Sequence, residues 1–203
     1  MVVKNLYCGG WASNCYLVVG GNGQALVVDP SVPPSQMELL FSENPPEIVG
    51  VILTHTHYDH MLYLDMWHKE GVPLYVGGQD AIGLCDTAYN VSGTVFGDPT
   101  TYRGADVLLH DGDEITLGRE KLQVMSTPGH TSGGISLVGS NFVITGDTMF
   151  AYGSVGRTDL LGSSYEDLET SIERLLSLAP QTKVFPGHGP SSTIASEREA
   201  HLI

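Results

Sequence analysis

Val51-Ile-Leu-Thr-His-Thr-His-Tyr-Asp-His60 places three histidines and an aspartate directly behind an apolar run. Ile48 to Leu53 is β-branched and apolar, the pattern of a strand buried on both faces. The end of that strand delivers His55 and His57, which are two apart in extended chain, so both rings can point the same way. Asp59 and His60 begin the next helix, from which both can face an adjacent ion. Imidazole and carboxylate donors suit Zn, Fe or Mn, and no cysteine stands near enough to specify a thiolate site.

The same kind of junction recurs along the chain. His130 follows the strand Leu122 to Ser126 in Thr127-Pro-Gly-His-Thr-Ser-Gly133. Asp147 follows the strand Phe142 to Thr145 in Thr145-Gly-Asp-Thr148, and His188 follows Val184-Phe185 in Pro186-Gly-His-Gly-Pro190. Strand ends converging on His and Asp give a metal site what it needs, preorganised donors at one rim of a rigid sheet. Asp59 has a second role open to it, orienting a water or taking its proton. His68, His110 and His201 fall outside the pattern and read as ordinary core or surface residues.

Tyr16-Leu-Val-Val and Ala25-Leu-Val-Val read as a hairpin about Gly20-Gly-Asn-Gly23, with Asp29-Pro-Ser closing the second strand. Pro34 to Ser42 predicts a short helix, and residues 61 to 70 another, stopped by Gly71-Val-Pro73. Leu74 to Val76 and Ile135 to Val138 are further strands. Tyr165 to Leu178 places Leu168, Ile172, Leu175 and Leu176 on one helical face, and a short polar helix finishes the chain. Residues 77 to 104 are irregular and mix Gly, Asp and Thr with Tyr89, Phe96 and Tyr102, which marks them as a lid or substrate-facing insertion. No composition break divides residues 1 to 203. The expectation is a single α/β domain, two sheets sandwiched between outer helix layers.

Nine Lys and Arg stand against 23 Asp and Glu, a formal charge of −14 over 203 residues. Such a balance argues against nucleic acid as partner, because phosphate neutralisation needs clustered cations. The apolar stretches are strand-sized, so no membrane span is expected. Met1-Val-Val-Lys-Asn lacks the features of a signal peptide, which predicts a cytoplasmic protein. Cys8, Cys15 and Cys85 are odd in number and form no C-x-x-C, so they read as buried hydrophobes or free thiols. Asn90-Val-Ser92 matches a glycosylation sequon that has no force without secretion. Oligomeric state is not legible.

The series His55-Thr-His-Tyr-Asp-His60, His130, Asp147, His188 resembles the metallo-β-lactamase fold hydrolase superfamily, with its H-x-H-x-D-H motif and the later ligands in the family's order. The likeness runs from Asn14-Cys-Tyr-Leu and Val28-Asp-Pro to Pro186-Gly-His188. It implies an αββα sandwich in which His55, His57 and His130 hold one metal, Asp59, His60 and His188 the other, and Asp147 bridges them. Within the superfamily the chain is most similar to the glyoxalase II branch and its single-domain relatives, through Asn90-Val-Ser92, Thr127-Pro-Gly-His-Thr131 and Gly156-Arg-Thr-Asp159. Two departures stand out. Met61-Leu-Tyr63 occupies the place where a small residue is common in the family, which bears on the pocket floor. Glyoxalase II carries a C-terminal helical domain that helps hold glutathione, whereas this chain ends 15 residues after His188, so a full glutathione site is not expected.

The activity implied is hydrolysis of a small acyl compound, a thioester such as S-lactoylglutathione or a related ester. Two divalent ions per chain, zinc first and iron or manganese as alternatives, would bring a bridging water's pKa toward neutrality, and the hydroxide would attack the acyl carbonyl. Cations would then stabilise the oxyanion and the leaving group. A mononuclear iron persulfide dioxygenase and a lactonase of the same superfamily are the competing activities. Arg157 is expected to pair with a nearby aspartate and fix the loop beyond Asp147.

Overall fold

The computed structural model describes residues 1–7, 10–41 and 43–201. Among these residues, twelve strands form two six-stranded sheets. In the first, β1 (Val2–Tyr7), β2 (Cys15–Val19) and β3 (Gln24–Val28) run antiparallel in sequence order, and β4 (Glu47–Leu53), β5 (Leu74–Gly77) and β6 (Val107–Leu109) continue parallel to β3. In the second, β7 (Glu114–Leu117), β8 (Glu120–Ser126), β9 (Ile135–Val138) and β10 (Phe142–Gly146) form an antiparallel meander. There β11 (Lys183–Pro186) pairs parallel with β10, and β12 (Ser192–Thr193) closes the edge antiparallel to β11. Four helices accompany them: α1 (Ser35–Leu40), α2 (Leu64–Trp67), α3 (Tyr165–Leu176) and α4 (Ile194–His201). This is the expected sandwich of two sheets with helices.

Strand alternation explains the layering. Along β4, Val51 and Leu53 join a core with Leu17, Val27, Leu64 and Trp67 on the helix side. Ile52 points the other way, into the core between the sheets with Tyr16, Leu26, Leu122 and Leu137. Burial on both faces is therefore real for β4, as its β-branched run implied. Each such fully buried aliphatic side chain contributes about 1.5–3 kcal/mol.

The helix layers differ from the expectation in one place. Residues 61 to 70 do not form one helix: Tyr58–His60 make a 3-10 turn, and α2 is a single turn, Leu64–Trp67. Tertiary demands override propensity here. His60 is drawn inward to Asp29, and Met61 and Leu64 are pulled wholly into the core, so the chain cannot keep a uniform helical twist. Met61 thus serves the core on the helix side. The α1 reading ran to Ser42, which lies outside the described residues; α1 itself stops at Leu40. Helix α3 matches its amphipathic pattern, with Leu168 and Leu175 buried and Ser164 capping its first turn by accepting from the Asp167 N–H.

Cys15 is fully buried and unpaired, its thiol pushed up by burial and by Asp29, whereas Cys85 is an exposed free thiol. Cys8 lies outside the described residues. Among those residues no helix is long and apolar enough to cross a membrane.

Candidate metal centre

Four of the strand ends meet at one rim and bring all seven sequence-selected residues together. Donor atoms of His55, His57 and His130 lie within 4.8 Å of one another; so do those of His55, His60 and Asp147, and those of Asp59, His60 and His188. Asp147 stands between the outer two groups. Its Oδ1 is 3.3 Å from His60 Nε2, and its Oδ2 is 3.6 Å from both His130 Nε2 and His188 Nε2. Asp59 Oδ2 lies 3.0 Å from His188 Nε2.

Local chain geometry explains why these side chains converge. A bend at Thr54–His55 leads into extended chain at His57, and the two rings lie 4.8 Å apart. The 3-10 turn then swings Asp59 and His60 toward the second sheet. His130 sits on a loop that α3 braces: Ser171 donates to the Pro128 carbonyl (2.6 Å), and the Ser164 N–H donates to the carbonyl of Gly129. Gly129 adopts φ +131, and a Cβ there would lie 2.3 Å from the backbone of Leu168, so only glycine lets the loop approach α3. The His188 loop is held by Asn14, whose Nδ2 donates to the carbonyls of Pro186 and Gly189, and by Tyr16, which donates to Pro186. A Cβ on Gly187 would fall 2.0 Å from Asp147 Oδ1.

Two buried carboxylates organise the surrounding shell, and neither was picked out as functional from sequence. Asp29, at φ +53, accepts from the Thr54 N–H and hydroxyl at 2.8 and 2.7 Å, and its Oδ2 lies 2.9 Å from His60 Nδ1. It therefore fixes the His60 ring with Nε2 turned inward. Asp80 accepts from the Thr56 N–H, the Thr131 and Tyr89 hydroxyls and the Gly133 N–H, all between 2.7 and 3.0 Å. One carboxylate thus ties the His55–His57 segment to the His130 loop. Asp29 had its signal in Val28-Asp-Pro; Asp80 had none beyond a buried charge that no pattern announces.

Arg157 forms the expected ion pair, bidentate to Asp159, but it is exposed. The Arg157 group that reaches the centre is its carbonyl, 2.9 Å from His130 Nδ1. His68 pairs with Asp106 and His110 lies near Asp113, both away from the cluster.

Charge and burial set the protonation states. Burial, reinforced by the neighbouring imidazoles, holds His55 far below its ordinary pKa and brings His57 down to about 3. Both rings are accordingly neutral, the form that ligates a cation. For His60 burial opposes charge, but Asp147, Asp29 and Asp59 outweigh it and raise the pKa well above normal. Burial would raise Asp147, yet His60 and the other imidazoles hold it lowered.

Unpartnered atoms show how the site fits cations. His55 Nε2, His57 Nε2, His60 Nε2 and Asp147 Oδ1 are all buried without a hydrogen-bond partner. Orphaned buried polar atoms cost about 1–3 kcal/mol each, and here they converge on the same cluster. The lone pairs of His55, His57 and Asp147 fit a cation's demand, and a cation would take the place of the proton that His60 turns toward Asp147.

The metallo-beta-lactamase superfamily model matches residues 8–188. The chain belongs to this superfamily. A "Probable metallo-hydrolase YqgX" of Bacillus subtilis is 34% identical over 191 residues, covering 92% of this chain and 90% of that protein. Among solved structures, that of the BLEG-1 B3 metallo-beta-lactamase superposes with a TM-score of 0.89 at 30% identity, covering 98% and 97% of the two chains. TTHA1623, solved in a di-iron-bound form, gives a TM-score of 0.79 at 30% identity over 97% and 98%. These superfamily relatives match over nearly their full lengths.

Proposed function

We propose that the protein is a two-metal hydrolase that attacks an acyl carbonyl, with thioesters and related esters as its substrate class. The observation that carries this reading is the convergence of three orphaned imidazole nitrogens and one orphaned carboxylate oxygen on a single buried cluster. His55, His57 and His130 would hold one cation, and Asp59, His60 and His188 the other, with Asp147 shared. When bound, two divalent cations supply Lewis acidity and a water that ionises near neutral pH. The donor set accepts zinc or iron alike, and the di-iron form of TTHA1623 supports occupancy of both positions by two ions.

The chain's own residues do the rest. Asp29 keeps the His60 ring from rotating, and Asp80 ties the segment carrying His55 and His57 to the loop carrying His130. Asp59, partly open to solvent, is placed to orient the attacking water and hold its proton at Oδ2, where His188 also approaches. The glyoxalase II likeness of Asn90-Val-Ser92 and Gly156-Arg-Thr-Asp159 favours thioesters within the acyl class. The partner is a small molecule, and the location we propose is cytoplasmic.

Metal content of protein purified without added metal, followed by rates on a thioester, a lactone and a persulfide, tests the reading. Two ions per chain with thioester or ester turnover supports it. One iron per chain with oxygen consumption on glutathione persulfide overturns it in favour of a dioxygenase.

A further inference from the structure

Through Tyr58, against the turn that carries Asp59, the surface opens into a cleft of about 450 Å³ lined by Trp11, Tyr58, Leu62, Tyr63, Phe96 and Asp98. Its place is fixed by the metal-centre segment itself. Tyr58 stands between His57 and Asp59, and Leu62 and Tyr63 follow His60 and Met61. The loop that carries Trp11 rests on the same turn, through the Ser13 N–H donating to the Asp59 carbonyl. Three aromatic rings form the wall: Phe96 lies 5.2 Å from Trp11 and 5.5 Å from Tyr58, centroid to centroid. Trp11 is 58% and Phe96 37% exposed, so apolar surface faces water against the turn that carries Asp59. Tyr63 is exposed as well.

The segment that presents Phe96 is built at a cost. Val91 is held at φ +60, a left-handed conformation that a β-branched residue strongly disfavours. A π-turn, Ser92–Phe96, follows it. The base is fastened by Asn90 Nδ2 donating to the Thr100 carbonyl and by the Thr100 N–H donating to Ser92 Oγ. Strain of this kind persists where surrounding contacts enforce it, and it clusters at binding sites. Charge gives the other constraint. The lining holds no Lys or Arg, and its one ionisable acid, Asp98, accepts the Tyr58 hydroxyl at 2.6 Å. An anionic group entering this cleft would meet a carboxylate and no cation.

We infer that this cleft receives the non-reacting end of the substrate, and that this end is an uncharged apolar group, aromatic or aliphatic. The inference rests on the hydrolase reading for the reacting end only. It makes glutathione conjugates, with their carboxylates, poor occupants, and it assigns Trp11, Phe96 and Asp98 as specificity determinants.

Binding tests it apart from turnover. Trp67 is buried and donates to the Val32 carbonyl, so Trp11 fluorescence reports on the cleft. Metal-loaded protein would be titrated with 3-phenylpropanamide and with its 4-carboxyphenyl analogue. Saturable quenching by the first, at least about tenfold weaker with the carboxylated one, is expected from the usual scale of apolar pocket discrimination. Phe96→Ala should weaken the first ligand about tenfold, and Asp98→Asn should narrow the gap between the two. No saturable response, equal binding of both amides, or indifference to Phe96→Ala overturns the inference. Kinetics on N-acetylcysteamine thioesters of acetate and 3-phenylpropanoate then separate the two readings. Binding as expected without hydrolysis of either sinks the hydrolase alone, whereas equal kcat/KM for both sinks the cleft alone.

Discussion

His55, His57 and His130 are all nearly inaccessible, whereas the group made by Asp59, His60 and His188 opens to solvent through His188, whose side chain is 31% exposed. The first group is imidazole only, and burial keeps His55 and His57 uncharged. The second is rich in charge, with Asp59 beside His188 and Asp29 and Asp147 beside His60. A cation entering the first group breaks one neutral contact, His57 Nδ1 to His130 Nε2 at 2.9 Å, and gains three fixed nitrogens. One entering the second must displace the His60 proton that faces Asp147 and compete with the Asp59–His188 pair. The first group should therefore bind more tightly and exchange more slowly, and the second should face substrate.

Replacing His57 breaks the tight half. His57→Ala should lower kcat/KM by more than about 100-fold, beyond the 10- to 100-fold typical of losing a supporting contact, and elemental analysis should show metal lost. An unchanged rate would end the two-metal mechanism. His188→Ala, on the open half, should leave roughly one ion per chain at a slower release rate toward chelator than the one it lost; loss of both ions together would erase the contrast. Asp80→Asn should cost about tenfold in rate and lower Tm, because it disturbs the carboxylate that accepts from Thr56, Thr131, Tyr89 and Gly133. Its damage should fall on the His55–His57–His130 group, which metal titration would reveal. Arg157→Ala should be the mildest, with Tm little moved and rate within about twofold, since an exposed pair contributes little and the His130 contact is a backbone carbonyl. A large effect would show that the side chain acts on the open half.

These differences separate what the sequence made legible from what it did not. The seven clustered residues were readable because each follows a strand whose apolar run is unmistakable, and spacing then placed them at one rim. The edge strands β1, β6, β7 and β12 were not. Val2-Val-Lys-Asn-Leu-Tyr7 is largely exposed and mixes polar with apolar residues, and β6 and β7 span only three and four residues. Edges bury too little to leave a pattern. Asp29 looked like a turn residue after β3, and its task is visible only once His60 is folded over it. Asp80 needed the tertiary structure outright, since its partners lie 24, 9, 51 and 53 residues away.

The centre lies across the seam between the two sheets: His55 to His60 hang from the first, and His130, Asp147 and His188 from the second. With the proposed function, a cation there acts as a removable staple between halves of the fold. Its binding free energy is then also folding free energy, and each tenfold rise in free cation above its Kd adds about 1.4 kcal/mol per site to stability. Melting temperature thereby becomes a gauge of metal supply. The same chain, short of metal, would be both inactive and easier to unfold, so proteolysis could clear the idle copies first.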